Sequence, residues 1–260
     1  MNRLPTLFLS HGAPNIVIDR KNPTHKFLKE LSAKLPKPKA VVVFSAHWQS
    51  NDVKITGSKK PQQIYDFGGF EKELYEYIYT PSSNPELAHR INEALLKAGY
   101  NSSLDEHQGF DHGLWAPLAL MYPNADIPVV QISLPINKDA KYFYELGKSL
   151  SWLRDENILV IGTGNITHNL REAFSGNYSE EPDWVNNFAE WVNDKLNKND
   201  IATLLDWKNT APNAKQNHPT DEHFLPLFAS LGAAGETFES ERIHRYLDYG
   251  VLRMDAFSFF

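Results

Sequence analysis

The chain has 260 residues, of which 42% are hydrophobic, so it is long enough to bury the core of one large domain or of two small ones. Its formal net charge is -6 and it has no run of lysines or arginines, which argues against nucleic acid as a partner. It contains no cysteine, so disulfides, thiolate metal sites and cysteine nucleophiles are excluded.

The sequence shows no targeting or membrane-spanning segment. The N-terminus lacks the basic and then apolar regions of a signal peptide, and no apolar run approaches the ~20 residues that a bilayer crossing needs. We therefore expect a cytoplasmic protein without a membrane partner. Any bound metal must be held by His, Asp or Glu side chains, since no thiolate is present.

Two apolar strands, over residues 6–10 and 40–46, are predicted near the N-terminus, with a helix over 25–35 between them. His11 follows the first strand and His47 follows the second. The order strand, helix, strand predicts parallel strands whose C-terminal ends lie at one edge of a sheet. Open α/β sheets bind their ligands at that edge, so we expect both histidines to reach one site.

The rest of the pattern continues the alternation of strands and helices. Further strands are predicted over 53–57, 128–134, 158–162 and 250–259, and further helices over 71–79, 85–98, 116–121, 140–153 and 182–197. The last strand is expected to be antiparallel and near an edge. Residues 64–70 are predicted as an aromatic loop that, with Trp48, walls a pocket, and 208–219 as a polar loop. No repeat or linker is visible, so we predict a single α/β domain over 1–260.

A third strand, 158–162, also has a histidine just beyond its end, His168. Thr220 is a good helix cap, which would place His223 in a first helical turn. One shared metal site explains the positions of His11, His47 and His168, because imidazole binds Zn, Fe, Cu and Ni. The rival explanation is that each ring bonds a nearby backbone carbonyl. Structural or surface roles are expected for five others: His25, His89, His107, His218 and His244.

Several well-known catalytic motifs are absent from the sequence. It contains no His-Glu-x-x-His helix, no Gly-x-Ser-x-Gly elbow, no phosphate-binding P-loop and no dinucleotide fingerprint. A helical zinc protease, a serine hydrolase of the elbow type and a P-loop enzyme are therefore not supported.

Six motifs occur in order over nearly the whole chain: Ser10-His11-Gly12-Ala13-Pro14, Ser45-Ala46-His47-Trp48, Tyr65-Asp66-Phe67-Gly68-Gly69-Phe70, Gly109-Phe110-Asp111-His112-Gly113-Leu114-Trp115, Gly164-Asn165-Ile166-Thr167-His168-Asn169 and Glu222-His223-Phe224-Leu225-Pro226-Leu227. Together they resemble the class III extradiol ring-cleavage dioxygenases, in the branch similar to 4,5-DOPA extradiol dioxygenase.

The resemblance implies a three-layer α/β/α domain around a mixed, mostly parallel sheet. It implies O₂-dependent opening of the ring of an L-DOPA-like catechol beside its two hydroxyls. The metal-binding histidines of that family correspond to His11, His47, His168 and His223, and His112 corresponds to an acid/base. One divalent metal per chain is expected, with Fe(II) for ring cleavage and Zn(II) as the metal often found. The expected partners are a small aromatic substrate and O₂, in a monomer or small homo-oligomer.

The chain departs from the better-known relatives in the wider class, which use two histidines and one carboxylate. Here Glu222 stands beside His223, and neighbours on a helical turn point about 100° apart, so we predict that His223 faces the metal. Four imidazoles would fill a tetrahedral Zn²⁺ site and leave no position for substrate. Either the coordination expands or one histidine is not a permanent ligand. His168 is the candidate for the second case, acting instead as a base.

Two alternatives from other classes stay open at the level of the sequence. A zinc hydrolase needs only three protein ligands, a bound water and a general base, which these residues could supply. A non-catalytic metal or ligand binder would need the ligands but no acid/base, and so would leave His112 without a role.

Overall fold

The structure is a computed structural model that describes residues 3–176 and 178–260. The strands are β1 (Thr6–Ser10), β2 (Ala40–Ser50), β3 (Val53–Thr56), β4 (Ser102–Asp105), β5 (Val129–Pro135), β6 (Ile158–Gly164), β7 (Ser240–His244), β8 (Leu247–Asp248), β9 (Leu252–Arg253) and β10 (Ala256–Phe259). The α-helices are α1 (Pro23–Leu31), α2 (Lys72–Glu76), α3 (Pro85–Lys97), α4 (His112–Met121), α5 (Ala140–Ser149), α6 (Leu170–Ser175), α7 (Asp183–Asn197), α8 (Ile201–Leu205), α9 (Trp207–Thr210), α10 (Ala214–Asn217) and α11 (Leu225–Ala234). Short 3₁₀ helices cover Pro14–Val17, Ser32–Lys34 and Ser151–Glu156.

One eight-stranded sheet organises the chain, in the order β4-β3-β5-β2-β6-β1-β10-β7. Its central strands β5, β2, β6 and β1 are parallel to one another. β10 joins antiparallel to β1, and β3 joins antiparallel to β5. The predicted mixed, mostly parallel sheet is confirmed. β6 lies between β1 and β2, so these two strands are not neighbours, but all three end at the same edge.

The two faces of the sheet are covered by different helices. On β2, Val42 and Phe44 pack into one core with apolar residues of α3, α5, α7 and α11. Val41 and Val43 point to the other face and pack with residues of α1 and α4. Successive side chains of a strand point to opposite faces, so a run that is apolar at every position needs cover on both sides. The predicted three-layer α/β/α fold is confirmed.

Helix α11 lies very close to the end of β6. An added Cβ on Gly162 would stand 2.1 Å from the carbonyl oxygen of Pro226, and one on Gly164 would stand 2.0 Å from that of His223. The backbone N–H of Asn165 donates to the same His223 carbonyl over 2.8 Å. The absence of a side chain at Gly162 and at Gly164 therefore lets the start of α11 bring His223 over the edge of the sheet.

This close approach makes Gly162 sensitive to substitution. We expect Gly162→Ala to lower the free energy of unfolding by roughly 1–3 kcal/mol, the usual cost of overpacking a core. Gly68→Ala is the matched control, because a Cβ there meets no atom within 4 Å. Urea unfolding of both variants measures the difference. Equal midpoints would contradict the tight packing of α11 on β6.

Some predicted boundaries are wrong. β2 runs on to Ser50, so His47 lies within a strand and not after one, at a point where the register with β5 shifts between Phe44 and Gln49. The segment 208–219, predicted as a polar loop, contains most of α9 and all of α10. Strand β4 has no counterpart among the predicted strands. Helix α2 covers only part of 71–79, because its backbone turns extended at Tyr77.

The helix near residue 220 also begins later than expected. α11 starts at Leu225, and Thr220 does not cap it. The carbonyl of Asp221 instead accepts from the backbone N–H groups of Phe224 and Leu225, which forms a turn before the helix. His223 therefore lies in this turn, just outside the helix. None of the helices in the described part of the chain combines the length and apolar character that a membrane crossing requires.

Candidate metal centre and catalytic site

Five histidines meet at the edge of the sheet: His11, His47, His112, His168 and His223. The Nε2 atoms of His11 and His47 are 3.0 Å apart. The ring centroids of His47 and His112 are 4.0 Å apart, and those of His11 and His223 are 5.4 Å apart. The structure therefore brings together every histidine that the sequence proposed for the site.

His11 is held by the backbone at the end of β1. Its N–H donates to the carbonyl of Gly164 over 2.9 Å. The next residue, Gly12, has a φ of 62°, a conformation that favours glycine, and its N–H donates to the side-chain oxygen of Asn165 over 3.1 Å. A Cβ on Gly12 would also stand 2.5 Å from the terminal carbon of Met254. This turn directs His11 towards the other histidines.

His112 is positioned by the carboxylate that precedes it. Asp111 is the N-cap of α4 and accepts the N–H of Leu114 over 3.2 Å. The same side chain accepts a hydrogen bond of 2.6 Å from Ser45 of β2 and another from Gln131 of β5. Burial raises the pKa of Asp111, while these hydrogen bonds oppose the rise. Asp111 thus ties the start of α4 to the sheet, and His112 is its first residue.

Asp66 is a site residue that the sequence analysis missed. Its Oδ1 accepts the backbone N–H of His112 over 3.0 Å and lies 3.0 Å from Nδ1 of that ring, although not in line for a second hydrogen bond. Its Oδ2 is 3.4 Å from Nδ1 of His47. Burial pushes the pKa of Asp66 up, but the close contact with His112 and the charge of His47 outweigh it and lower the pKa. The Asp66 carboxylate therefore lies within ion-pair distance of both rings.

His168 and His223 form a stacked pair, with ring centroids 3.4 Å apart and planes 10° from parallel. Oε1 of Glu222 lies 2.8 Å from Nδ1 of His223. The potential ligand atoms of His11, His47 and His223 lie within 4.8 Å of one another. His168 belongs to a different group at that separation, which it shares with Glu222 and His223.

The remaining buried histidines have simple structural contacts. Nδ1 of His25 lies 2.7 Å from the carbonyl oxygen of Ile16, and Nε2 of His218 lies 2.8 Å from that of Ile166. Such backbone contacts are what a structural histidine makes. Nδ1 of His11 is buried without a hydrogen-bond partner among the described residues, as are Nδ1 of His112 and Nδ1 of His218.

The donor set suits a divalent cation. Burial, and then the neighbouring histidines, lower the pKa of His11 and of His223 well below 6.5. Burial and the charge of His112 lower the pKa of His47 to about 3, although Asp66 opposes this. Neutral rings have a free lone pair at neutral pH; three imidazoles are a known ligand set for catalytic zinc, and imidazole also suits iron.

These shifts predict how the metal-free protein responds to acid. A histidine with a lowered pKa in the folded state binds fewer protons than in the unfolded state, so stability rises with pH. We expect the free energy of unfolding to fall as the pH drops below 6.5. The decrease due to His168 continues down to about pH 4, because burial lowers the pKa of that ring to about 4. The decrease due to His47, whose pKa is lowered to about 3, continues down to about pH 3. Thermal unfolding of the metal-free protein at pH 7.5 and pH 5 tests this.

His168→Gln should lose part of that pH dependence, and the exposed His107→Gln should lose none. An unfolding temperature that is the same at both pH values would contradict the prediction.

Asp66→Asn is expected to weaken metal binding about tenfold to a hundredfold, as when a ligating histidine loses its carboxylate partner. Asparagine keeps the shape but removes the charge that lies 3.4 Å from His47. Competition with a chelator measures the affinity. Asp194→Asn, which removes a surface carboxylate paired with Lys198, is the control and should change nothing. An unaltered metal affinity in Asp66→Asn would show that metal binding through His47 does not depend on Asp66.

A cavity of about 560 Å³ opens onto the histidines. Its apolar walls include Phe67 and Phe70 from the aromatic loop and Leu170 and Phe174 from α6. The loop thus lines the pocket as predicted. Trp48 does not, since it is buried and is not among the described residues that line the cavity. A larger cleft of about 940 Å³ lies on the side of Glu222 and is not lined by His11, His47 or His112.

Comparison with known proteins agrees with this geometry. Residues 5–253 match the family model described as the catalytic LigB subunit of aromatic ring-opening dioxygenase. A protein of Beta vulgaris named 4,5-DOPA dioxygenase extradiol is 39% identical over 257 residues, which are 98% of this chain and 96% of that protein. A protein of Escherichia coli (strain K12) with the same name is 40% identical over 239 residues, covering 89% of this chain and 85% of that protein.

A solved structure, that of the uncharacterized protein JW3007 from Escherichia coli K12, superposes with a TM-score of 0.83 at 33% identity, covering 98% of this chain and 99% of that one. The fold, the convergent histidines and the family match therefore agree along the length of the chain. The predicted resemblance to extradiol dioxygenases is confirmed: the chain belongs to the family of catalytic LigB subunits of aromatic ring-opening dioxygenases.

Proposed function

We propose that this metal-dependent extradiol dioxygenase opens the ring of an L-DOPA-like catechol, with His11, His47 and His223 as metal ligands and His112 as the acid/base. The observation that carries the proposal is the convergence of three neutral imidazoles beside a fourth that shares the carboxylate of Asp66. The names of the relatives support the choice of catechol. The whole chain, 1–260, is proposed to act as one catalytic unit.

The proposed metal for turnover is Fe(II), which when bound would supply the redox chemistry that joins a catechol to O₂. Zn(II) would fit the same three imidazoles and is proposed as a metal that the protein also binds. His168 is proposed as a base outside the ligand set, because it lies flat against His223 and outside the group formed with His11 and His47. Three protein ligands leave positions for substrate, whereas four would fill a tetrahedral site.

His112 would take a proton from a catechol hydroxyl. An imidazole can both accept and donate a proton, which suits proton transfer in both directions. Asp66 would hold the ring through the backbone N–H of His112 and stabilise its protonated form. Phe67 stands edge-on to His112, with ring centroids 5.6 Å apart, and so limits the access of water on that side.

Anaerobic loading with Fe(II), followed by O₂ and L-DOPA, tests the proposal. We expect O₂ uptake and a yellow ring-cleavage product. Failure to consume O₂ with any catechol of a panel would overturn it. Product release without O₂ would favour a zinc hydrolase, and tight zinc binding without turnover would favour a non-catalytic binder. A cytoplasmic location and a monomeric or small homo-oligomeric state stay predictions from the sequence.

A further inference from the structure

The charges that line the cavity have one sign. Apart from the histidines, the charged residues among its described lining are Asp66 and Glu71, and no lysine or arginine of the described chain lines it. Arg171 follows the lining residue Leu170 on α6 but is exposed and is not itself part of the lining. A ligand that enters the cavity therefore meets carboxylates but no cationic side chain of lysine or arginine.

The two carboxylates are in different situations. Asp66 lies against His47 and His112, so its charge already interacts with these two rings. Glu71 is exposed at the end of the aromatic loop, immediately before α2, and its side chain has no hydrogen bond or ion pair with another described residue. Its carboxylate is free to pair with a ligand.

Glu71 belongs to a polar rim of the cavity that also contains Tyr249 and Asn15. Burial is the first cause that raises the pKa of Tyr249; the nearby carboxylates of Asp248, Glu71 and Asp19 raise it further, against a hydrogen bond with Asn15. Glu71 and Tyr249 are therefore close enough to interact. This rim is acidic and offers both a charge and hydrogen-bonding groups.

The cavity also has room for more than a ring. Its volume of about 560 Å³ exceeds what a catechol alone would occupy, and Phe67 and Phe70 offer aromatic surfaces to a ring. A substrate whose hydroxyls face the histidines would therefore place its side chain along these walls, towards the rim.

Resting on the proposed function, we propose that the preferred substrates are catechols whose side chain carries a protonated amine, and that Glu71 pairs with this ammonium. A side chain with a net negative charge is disfavoured, because the described lining has no lysine or arginine to pair with it and two carboxylates to repel it; the zwitterionic side chain of L-DOPA still offers its ammonium to Glu71. The selectivity comes from charge, so it should weaken at high salt.

Three catechols with side chains of similar length separate the effects of charge: dopamine, 4-ethylcatechol and 3-(3,4-dihydroxyphenyl)propionate. With the Fe(II)-loaded enzyme, kcat/KM is expected to fall in that order, by about three- to fivefold at each step, the size of a partly exposed ion pair. Calorimetric titration of the zinc-loaded protein without turnover should give the same order of affinities.

Glu71→Gln is the variant that tests the pairing, and Glu73→Gln, two residues further along in α2 and outside the cavity lining, is its matched control. In Glu71→Gln, the ratio of kcat/KM for dopamine to that for 4-ethylcatechol should fall about three- to fivefold. The ratio of kcat/KM for the propionate to that for 4-ethylcatechol should rise. Glu73→Gln should change neither ratio.

A preference for the propionate, or a Glu71→Gln variant with unchanged ratios, would overturn the inference and leave the proposed function intact. A lack of cleavage of all three compounds and of L-DOPA would overturn the proposed function instead. In that case the order of affinities for the zinc-loaded protein still decides whether the cavity prefers the amine.

Discussion

Replacing His112 with glutamine is expected to slow ring cleavage by about a hundredfold to ten-thousandfold while leaving the metal content unchanged. Glutamine keeps a polar side chain of similar length but cannot take up a proton. His112 shares a group of potential ligand atoms with Asp66 and His47, and it is outside the group of His11, His47 and His223. Its loss should therefore affect proton transfer and spare metal binding.

Oxygen uptake by the Fe(II)-loaded variant gives kcat, and metal analysis gives the occupancy. His107→Gln is the control, because His107 is exposed and is not one of the five histidines of the site. This variant should match the parent protein in kcat and metal occupancy. An acid/base role also predicts that the pH profile of kcat changes in His112→Gln. Full turnover in that variant would show that another group moves the proton.

The second large effect concerns the ligand set. His223→Gln is expected to weaken zinc binding by more than about a hundredfold, because removing a ligand should cost more than removing a partner of a ligand. His168→Gln should retain affinity within about tenfold while losing much of its ring cleavage. The reason is that His223 shares a ligand group with His11 and His47, whereas His168 stacks on the face of the His223 ring.

Competition with a chelator measures both affinities, and the exposed His89→Gln serves as a control that should behave like the parent protein. If His168→Gln lost as much affinity as His223→Gln, the ligand set would comprise four histidines. Coordination would then have to expand, or one ligand would have to leave, before a catechol could bind.

Much of the fold followed from local sequence patterns. The run Val41-Val42-Val43 predicts a strand buried on both faces, because every position is apolar and β-branched. The same logic located β1 and β6, and with them His11 and His168 near the ends of those strands. The six motifs were sufficient to indicate the family, which the comparisons confirm.

The tertiary structure alone decided how these parts meet. Strand order depends on pairings far apart in the chain, so no local pattern showed that β6 lies between β1 and β2. The start of α11 depends on a turn around the carbonyl of Asp221, which a capping pattern at Thr220 did not reveal. Asp66 was missed because a loop has no periodicity that fixes where a side chain points.

The sequence by itself therefore determined the fold class and which histidines are available. The tertiary structure decided that the potential ligand atoms of His11, His47 and His223 lie within 4.8 Å of one another, that His168 stacks on His223 and that Asp66 lies within 3.4 Å of both His47 and His112. These relations depend on distances between residues that are remote in sequence, and such distances exist only once the sheet has formed.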